Sequence, residues 1–208
     1  MNLLECLVAI ALSMLLLNPL LKTSADLVAK QIEYEKRQLL TSEAERAFEL
    51  IGRAIRMAGY RKIDSTQLRK QKDQWILVQK KSGFRGSDSV MIQHEISDEI
   101  DFDCIGNTLT KERTKQGIAR QAFLVDRQAG IPKGMKVNGG SLICQSLDRQ
   151  GRLQSTTLMN GVNYLVIEEI VSSEKSPTQK LYQVSLQMTD GALLNLDLIR
   201  TFSTRNLP

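Results

Sequence analysis

From Met1 to Leu21 the chain reads MNLLECLVAIALSMLLLNPLL, an apolar run whose only charged side chain is Glu5. A bilayer-spanning helix needs about 20 such residues, so residues 1–21 are expected to cross a membrane. An ordinary secretory signal carries Lys or Arg before the apolar run and a small-residue cleavage site after it, and neither is present. The feature to explain is the carboxylate. An unpaired acidic side chain at the centre of a spanning helix costs roughly 2.5 to 3.5 kcal/mol on insertion scales, and less near the interface. The first basic side chain after it, Lys22, lies about 25 Å further along a helix. The expected partner of Glu5 is therefore an α-amino group, either that of Met1 or that of another copy or related subunit in the same membrane.

The helical pattern continues past the apolar run. Leu40, Ala44, Ala47, Phe48, Ile51, Ala54, Ile55 and Ala58 recur at three- and four-residue steps, while Glu43, Glu45, Arg46, Glu49, Arg53 and Arg56 fall mostly off that stripe. Gly59 is a suitable stop, because a residue with free access to positive φ commonly follows the last turn. Pro19 is expected to kink the helix near the membrane face, since it removes a donor and crowds the previous turn. The division expected is a spanning segment at 1–21, an amphipathic half of the same helix at 22–59 and a globular domain at 60–208. An unbroken helix from Met1 to Ala58 would be about 85 Å long; the alternative is a membrane anchor followed by an unrelated coiled linker.

After Gly59 the period changes to that of strands. Gln74–Lys80 carries Trp75, Leu77 and Gln79 on one face, and Ser89–His94, Gln121–Asp126, Leu142–Leu147 and Tyr164–Ile170 are further candidates. Val184, Leu186 and Met188 alternate with polar residues, as do Leu194, Leu196 and Leu198. Asp190-Gly191 between these two runs suggests a type I′ hairpin turn. Residues 105–117, 127–140 and 172–179 look like loops. One long helix followed by a mostly antiparallel sheet is an α+β arrangement, with the apolar stripe covering one sheet face.

The net charge of +5 comes in blocks. Arg53 to Arg85 is overwhelmingly basic, and Asp88, Glu95, Asp98, Glu99, Asp101 and Asp103 follow without an intervening Lys or Arg. Such blocks serve either as solvated faces or as complementary surfaces between subunits. The basic block lacks the aromatic residues that would stack bases, so it gives little support to nucleic-acid binding. Cys104 and Cys144 lie forty residues apart in the soluble part, with no CxxC and no Cys/His ligand spacing. A disulfide in an oxidising compartment is expected, the alternative being two buried free thiols in a cytosolic protein.

The N-terminus resembles that of a processed type IV pilin, in which Phe-Thr-Leu-Ile-Glu-Leu precedes a hydrophobic helix. Here Met1 stands for Phe, Asn2 for Thr and Cys6 for Leu, with Glu5 at the matching fifth position. The resemblance implies that Met1 is the residue exposed by prepilin peptidase, with an N-terminal amine open to methylation, unless it is simply the initiator. It also implies that Glu5 serves assembly. Arg56-Met57-Ala58-Gly59-Tyr60 is similar to the signature of PilW-type minor pilins. Gly86-Ser-Asp-Ser-Val90, Asp103-Cys104, Ser141-Leu-Ile-Cys144, Asn160 to Val166 and Arg200 to Thr204 match in the expected order. The implied fold is the type IV pilin fold. The implied partners are other minor pilins, the major pilin and the inner-membrane assembly platform, and the implied place is the inner membrane and periplasm, then the pilus at the cell surface.

Catalytic constellations are not recognised. His94 is the single histidine and sits in an expected strand, where a structural or surface role suits it. No P-loop, GxGxxG or GxSxG is found, and glycines 130, 134, 139 and 140 read as loop punctuation. The cluster Asp98, Glu99, Asp101, Asp103 offers oxygen ligands for Ca²⁺ but lacks the EF-hand pattern, and strand alternation would divide it between two faces. The expectation is a non-enzymatic minor pilin that primes or caps pilus assembly. A pseudopilin of a type II secretion system is the alternative, and a membrane-anchored protein binding DNA or another ligand is a further one.

Overall fold

The computed structural model describes residues 2–61, 75–97, 101–115, 117–131, 138–170, 179–192 and 194–206. It divides into two compact units, Met1–Leu39 and Leu40–Pro208. A helix, α1, occupies Leu3–Met57 and so belongs to both.

In the first unit the large apolar side chains from Leu3 to Leu39 are exposed, and one stretch of the helix is long and apolar enough to cross a membrane. Two of its hydroxyls are satisfied locally: Ser13 donates to the Ala9 carbonyl at 2.7 Å and Thr23 to the Leu20 carbonyl at 3.0 Å. Such bonds remove unpaired hydroxyls from an apolar surrounding. Pro19 lies inside the helix, which runs past it without interruption. Further on, an Arg37–Glu33 pair at 2.9 Å decorates one turn.

In the second unit all eight residues of the expected stripe, Leu40 to Ala58, are buried. They cover a seven-stranded antiparallel sheet in sequence order, made of β1 (Ile76–Gln79), β2 (Ser89–Glu95), β3 (Ile118–Asp126), β4 (Gly140–Leu147), β5 (Leu153–Ile170), β6 (Leu181–Thr189) and β7 (Asn195–Ser203). The burial alternation is clean in β2 and β6, as expected of a sheet with one face on the core. Gln74, at the edge of the first expected strand, lies outside the described residues. In β1 the side chains packed on the core are Ile76 and Val78 rather than Leu77, although Trp75 is buried as well. The expected loop at 105–117 includes a 3₁₀ turn at Lys111–Arg113. Residues 132–137 and 171–178, which make up much of the other two expected loops, lie outside the described residues.

Three further features depart from the sequence expectation. The strand expected at Tyr164–Ile170 begins at Leu153, because β5 changes partners midway: Leu153–Val162 pairs with β4 and Val162–Ile170 with β6. Gly161, at that switch, has φ +75°, and a Cβ there would stand 2.7 Å from the Thr189 carbonyl oxygen. Gly140 is likewise a strand residue rather than loop punctuation. The turn after β6 is not type I′. Thr189 pairs with Asn195, and the Asp190 carboxylate accepts the N–H groups of Ala192 and Leu194 at 2.9 and 3.0 Å. An Asx-type acceptor organises a longer turn than the dipeptide alone suggests.

The β5 partner switch leaves backbone groups that a latch from before β2 satisfies. The Asp88 N–H donates to the Leu165 carbonyl at 2.8 Å, and the Leu165 N–H donates to the Ser87 hydroxyl at 3.3 Å. The Asp88 carboxylate, almost wholly buried, accepts the N–H groups of Ile167 (2.9 Å) and Lys81 (3.0 Å) and the Lys80 ammonium (2.9 Å). Burial pushes this carboxyl up, but those three donors outweigh it and hold it below its ordinary value. Members of the two opposite charge blocks thus meet inside one domain.

Candidate functional site

The helix N-terminus is the first element to weigh, and Met1, with its amine, lies outside the described residues. Asn2 precedes the helix, and its N–H donates to Glu5 Oε2 at 3.0 Å while the Glu5 N–H donates to the Asn2 carbonyl at 2.9 Å. This is one half of a capping box, the acid three residues into the helix reaching back to the backbone before it. Whatever α-amino group meets it, Glu5 already has a backbone donor three residues away on one carboxylate oxygen. That bond also places negative charge where the helix dipole favours it.

The Arg56–Tyr60 segment ends α1 and joins it to the sheet. Ala58 is buried, Gly59 takes φ +74°, and its N–H donates to the Gln93 carbonyl at 3.1 Å. The Glu95 N–H donates to the Tyr60 carbonyl at 2.9 Å, and Asn206 reaches the Arg56 carbonyl at 3.1 Å. The helix C-terminal carbonyls and the emerging chain are therefore tied to β2 and to the chain's end. Met57 is half-buried. The same end of the molecule shows what sequence reasoning missed at Gly52, which sits mid-helix at the usual cost of about 1 kcal/mol relative to Ala. A Cβ there would lie 2.4 Å from the Phe202 ring. Phe202 also packs on Phe48 with centroids 6.4 Å apart, and Arg200 pairs with Glu45 above them.

Beside the helix, residues 101–110 form a small lobe. Phe102 bridges Thr108, the Leu109 N–H donates to the Asp101 carbonyl at 2.8 Å, and the buried Asp103 carboxylate accepts the N–H groups of Ile105 and Asn107 at 3.0 and 2.7 Å. The expected disulfide joins Cys104 in this lobe to Cys144 in β4, with Cα atoms 6.1 Å apart. Cys6 is a free, exposed thiol. Asp98 and Glu99 of the acidic cluster lie outside the described residues. Asp101 accepts the Ser97 N–H at 2.9 Å, so the two described acids act as turn acceptors. Among the described residues no group of three or more His, Cys, Asp or Glu side chains is placed to hold a metal.

Under the lobe lies a cavity of about 50 Å³ lined by His94, Arg53, Met57, Asp101, Asp103 and Gln121. His94 is buried on β2, and among the described residues its Nδ1 has no hydrogen-bond partner. Burial lowers its pKa from the ordinary 6.5; Asp101 pulls it back up and Arg53 pushes it further down. The unfolded chain therefore binds the proton more readily than the folded one. The stabilisation is complete above the unfolded value of 6.5 and is lost as pH falls below it, through the lowered folded value. The melting temperature is expected to fall as pH drops from about 7.5 to about 5.5, and His94→Gln is expected to flatten that part of the profile. An identical slope in the variant contradicts this assignment. The Asp88 contribution does not confuse the test, because it is lost only as pH falls below 3.8.

Comparison with family models, with curated proteins and with solved structures finds no match for this chain.

Proposed function

We infer that the chain is a pilin-like assembly subunit with the type IV pilin fold, a minor pilin that helps prime or cap a type IV pilus and carries out no catalysis of its own. One observation carries the reading: a single helix joins an apolar, membrane-length segment with Glu at its fifth position to a stripe buried on an antiparallel sheet. A helix of this kind has two uses in one piece. Its first part holds the subunit in lipid and offers an apolar surface to similar helices, while its last turns form the core of the domain. The similarity of Arg56 to Tyr60 to the PilW-type signature points to a minor pilin in particular. The disulfide suits a domain held in the periplasm and later at the cell surface.

Cross-linking in native membranes, followed by mass spectrometry of the captured partners and of the chain's own N-terminus, tests the reading. The expected result is other pilin-like subunits, together with a processed and methylated amine at Met1. Recovery of type II secretion components would transfer the subunit to that apparatus. An unprocessed N-terminus with no pilin-like partner would refute the assembly role.

A further inference from the structure

The first half of β5, Leu153–Gly161, is paired on one edge only. β4 takes that edge, β6 begins to pair at Val162, and among the described residues no strand lies along the other edge. Soluble domains usually blunt such an edge with charge or Pro. Here the stretch from Leu153 to Val166, LQSTTLMNGVNYLV, contains neither, although register shifts against β4 at Leu158 and Gly161 bend it. The same stretch borders a groove of about 370 Å³, whose walls are Thr156–Met159, the α1 residues Arg46, Leu50 and Arg53, and the lobe from Phe102 to Gly106. Four consecutive strand residues line it. Two of them, Thr157 and Leu158, lie at a register shift against β4, where strict alternation between the sheet faces is broken.

The chemistry of the other walls narrows what fits. Phe102 is 42 % exposed and stands with Leu50 and Leu158 as an apolar surface. Arg46 and Arg53 are exposed, Arg53 donates to the Phe102 carbonyl at 3.5 Å, and among the described residues neither is paired with a carboxylate. The nearby Asp103 carboxylate is already taken by donors of its own lobe.

We propose that this edge and groove receive an extended segment of another polypeptide, which adds to β5 as a strand and sets a carboxylate on Arg46 and Arg53 and an apolar side chain against Phe102 and Leu158. Main-chain bonds along the edge supply affinity and the alternate side chains supply selectivity. A second copy pairing edge to edge does not satisfy the site, because the open stretch of β5 has no carboxylate to give the arginines. The inference concerns the globular unit and holds whether or not the chain enters a filament.

The test uses the full chain in detergent and fluorescent peptides of alternating Val and Thr with one central Asp, read by anisotropy. The Asp peptide is expected to bind saturably. Replacing its Asp by Lys, or N-methylating alternate amides on its docking edge, is expected to weaken binding about tenfold or more. The double variant Arg46→Ser, Arg53→Ser, checked for an unchanged melting profile, is expected to lose the preference for Asp over Lys and to keep the sensitivity to N-methylation. Equal binding of all the peptides, no saturable binding, or self-association that shuts the peptide out would overturn the proposal.

Discussion

Replacing Cys104 and Cys144 together by Ser is expected to lower the stability of the globular unit by about 2 to 5 kcal/mol. The bridge closes a segment of forty residues in sequence separation. The lobe that carries Cys104 is bonded mainly to itself, through Phe102–Thr108 and the Asp103 turn. Without the bridge, little besides side-chain packing holds it over β4. Both cysteines also lie in the core, with Cys144 wholly buried, so the serine hydroxyls would enter apolar surroundings without assured partners. A Cys→Ala pair separates the two effects, since it removes the bridge without adding a polar group. Denaturation of the purified chain in urea, with and without reductant, measures the difference. The expected result is a large loss for both pairs and little further effect of reductant on either; wild-type stability in both would show that the bridge is dispensable.

Asp88→Ala is expected to cost about 2 to 4 kcal/mol, because it leaves buried donors without an acceptor. The Ile167 N–H sits at the β5 edge where no strand pairs among the described residues, and the Lys81 N–H and Lys80 ammonium converge on the same carboxylate. Asp88→Asn should recover part of the loss, because its one carbonyl oxygen can still accept from Ile167. The measurement is the same urea titration, supplemented by amide exchange at Leu165 and Ile167. Faster exchange confined to those residues is the local signature expected of the latch. A variant as stable as the parent, with both amides still protected, would mean that β5 is held by its other contacts.

Which parts could be read from sequence follows from how local their causes are. The buried stripe from Leu40 to Ala58 repeats at the helical period, and β6 alternates at the strand period, so each announces its buried face. The stop at Gly59 rests on a local demand for positive φ. The Asp88 latch has no such signal, because its partners Leu165 and Ile167 lie more than seventy residues away. Gly52 looks like a weak point in a helix until Phe202 is seen above it. The early start of β5 is hidden by the polar run Gln154 to Thr157 and by Gly161, which serves as the pivot between two partner strands. At the N-terminus the Asn2–Glu5 spacing does carry a capping signature, overshadowed by the oddity of a carboxylate in an apolar helix.

That capping bond shapes the most direct test of the central claim, that Glu5 serves subunit assembly. Gln can accept the Asn2 N–H as Glu does, so Glu5→Gln keeps the local cap and removes only the charge. An α-amino group with a pKa near 8 is largely protonated at neutral pH, and its pairing with Glu5 would offset part of the desolvation of both. The measurement is cross-linking yield to neighbouring subunits and pilus count in cells whose only copy is Glu5→Gln, at matched membrane abundance. The account predicts normal insertion and a folded globular unit, with both yields reduced, and no greater defect in assembly for Glu5→Ala at equal abundance. Parental cross-linking and piliation in Glu5→Gln would contradict it, leaving the carboxylate as a helix cap and no more.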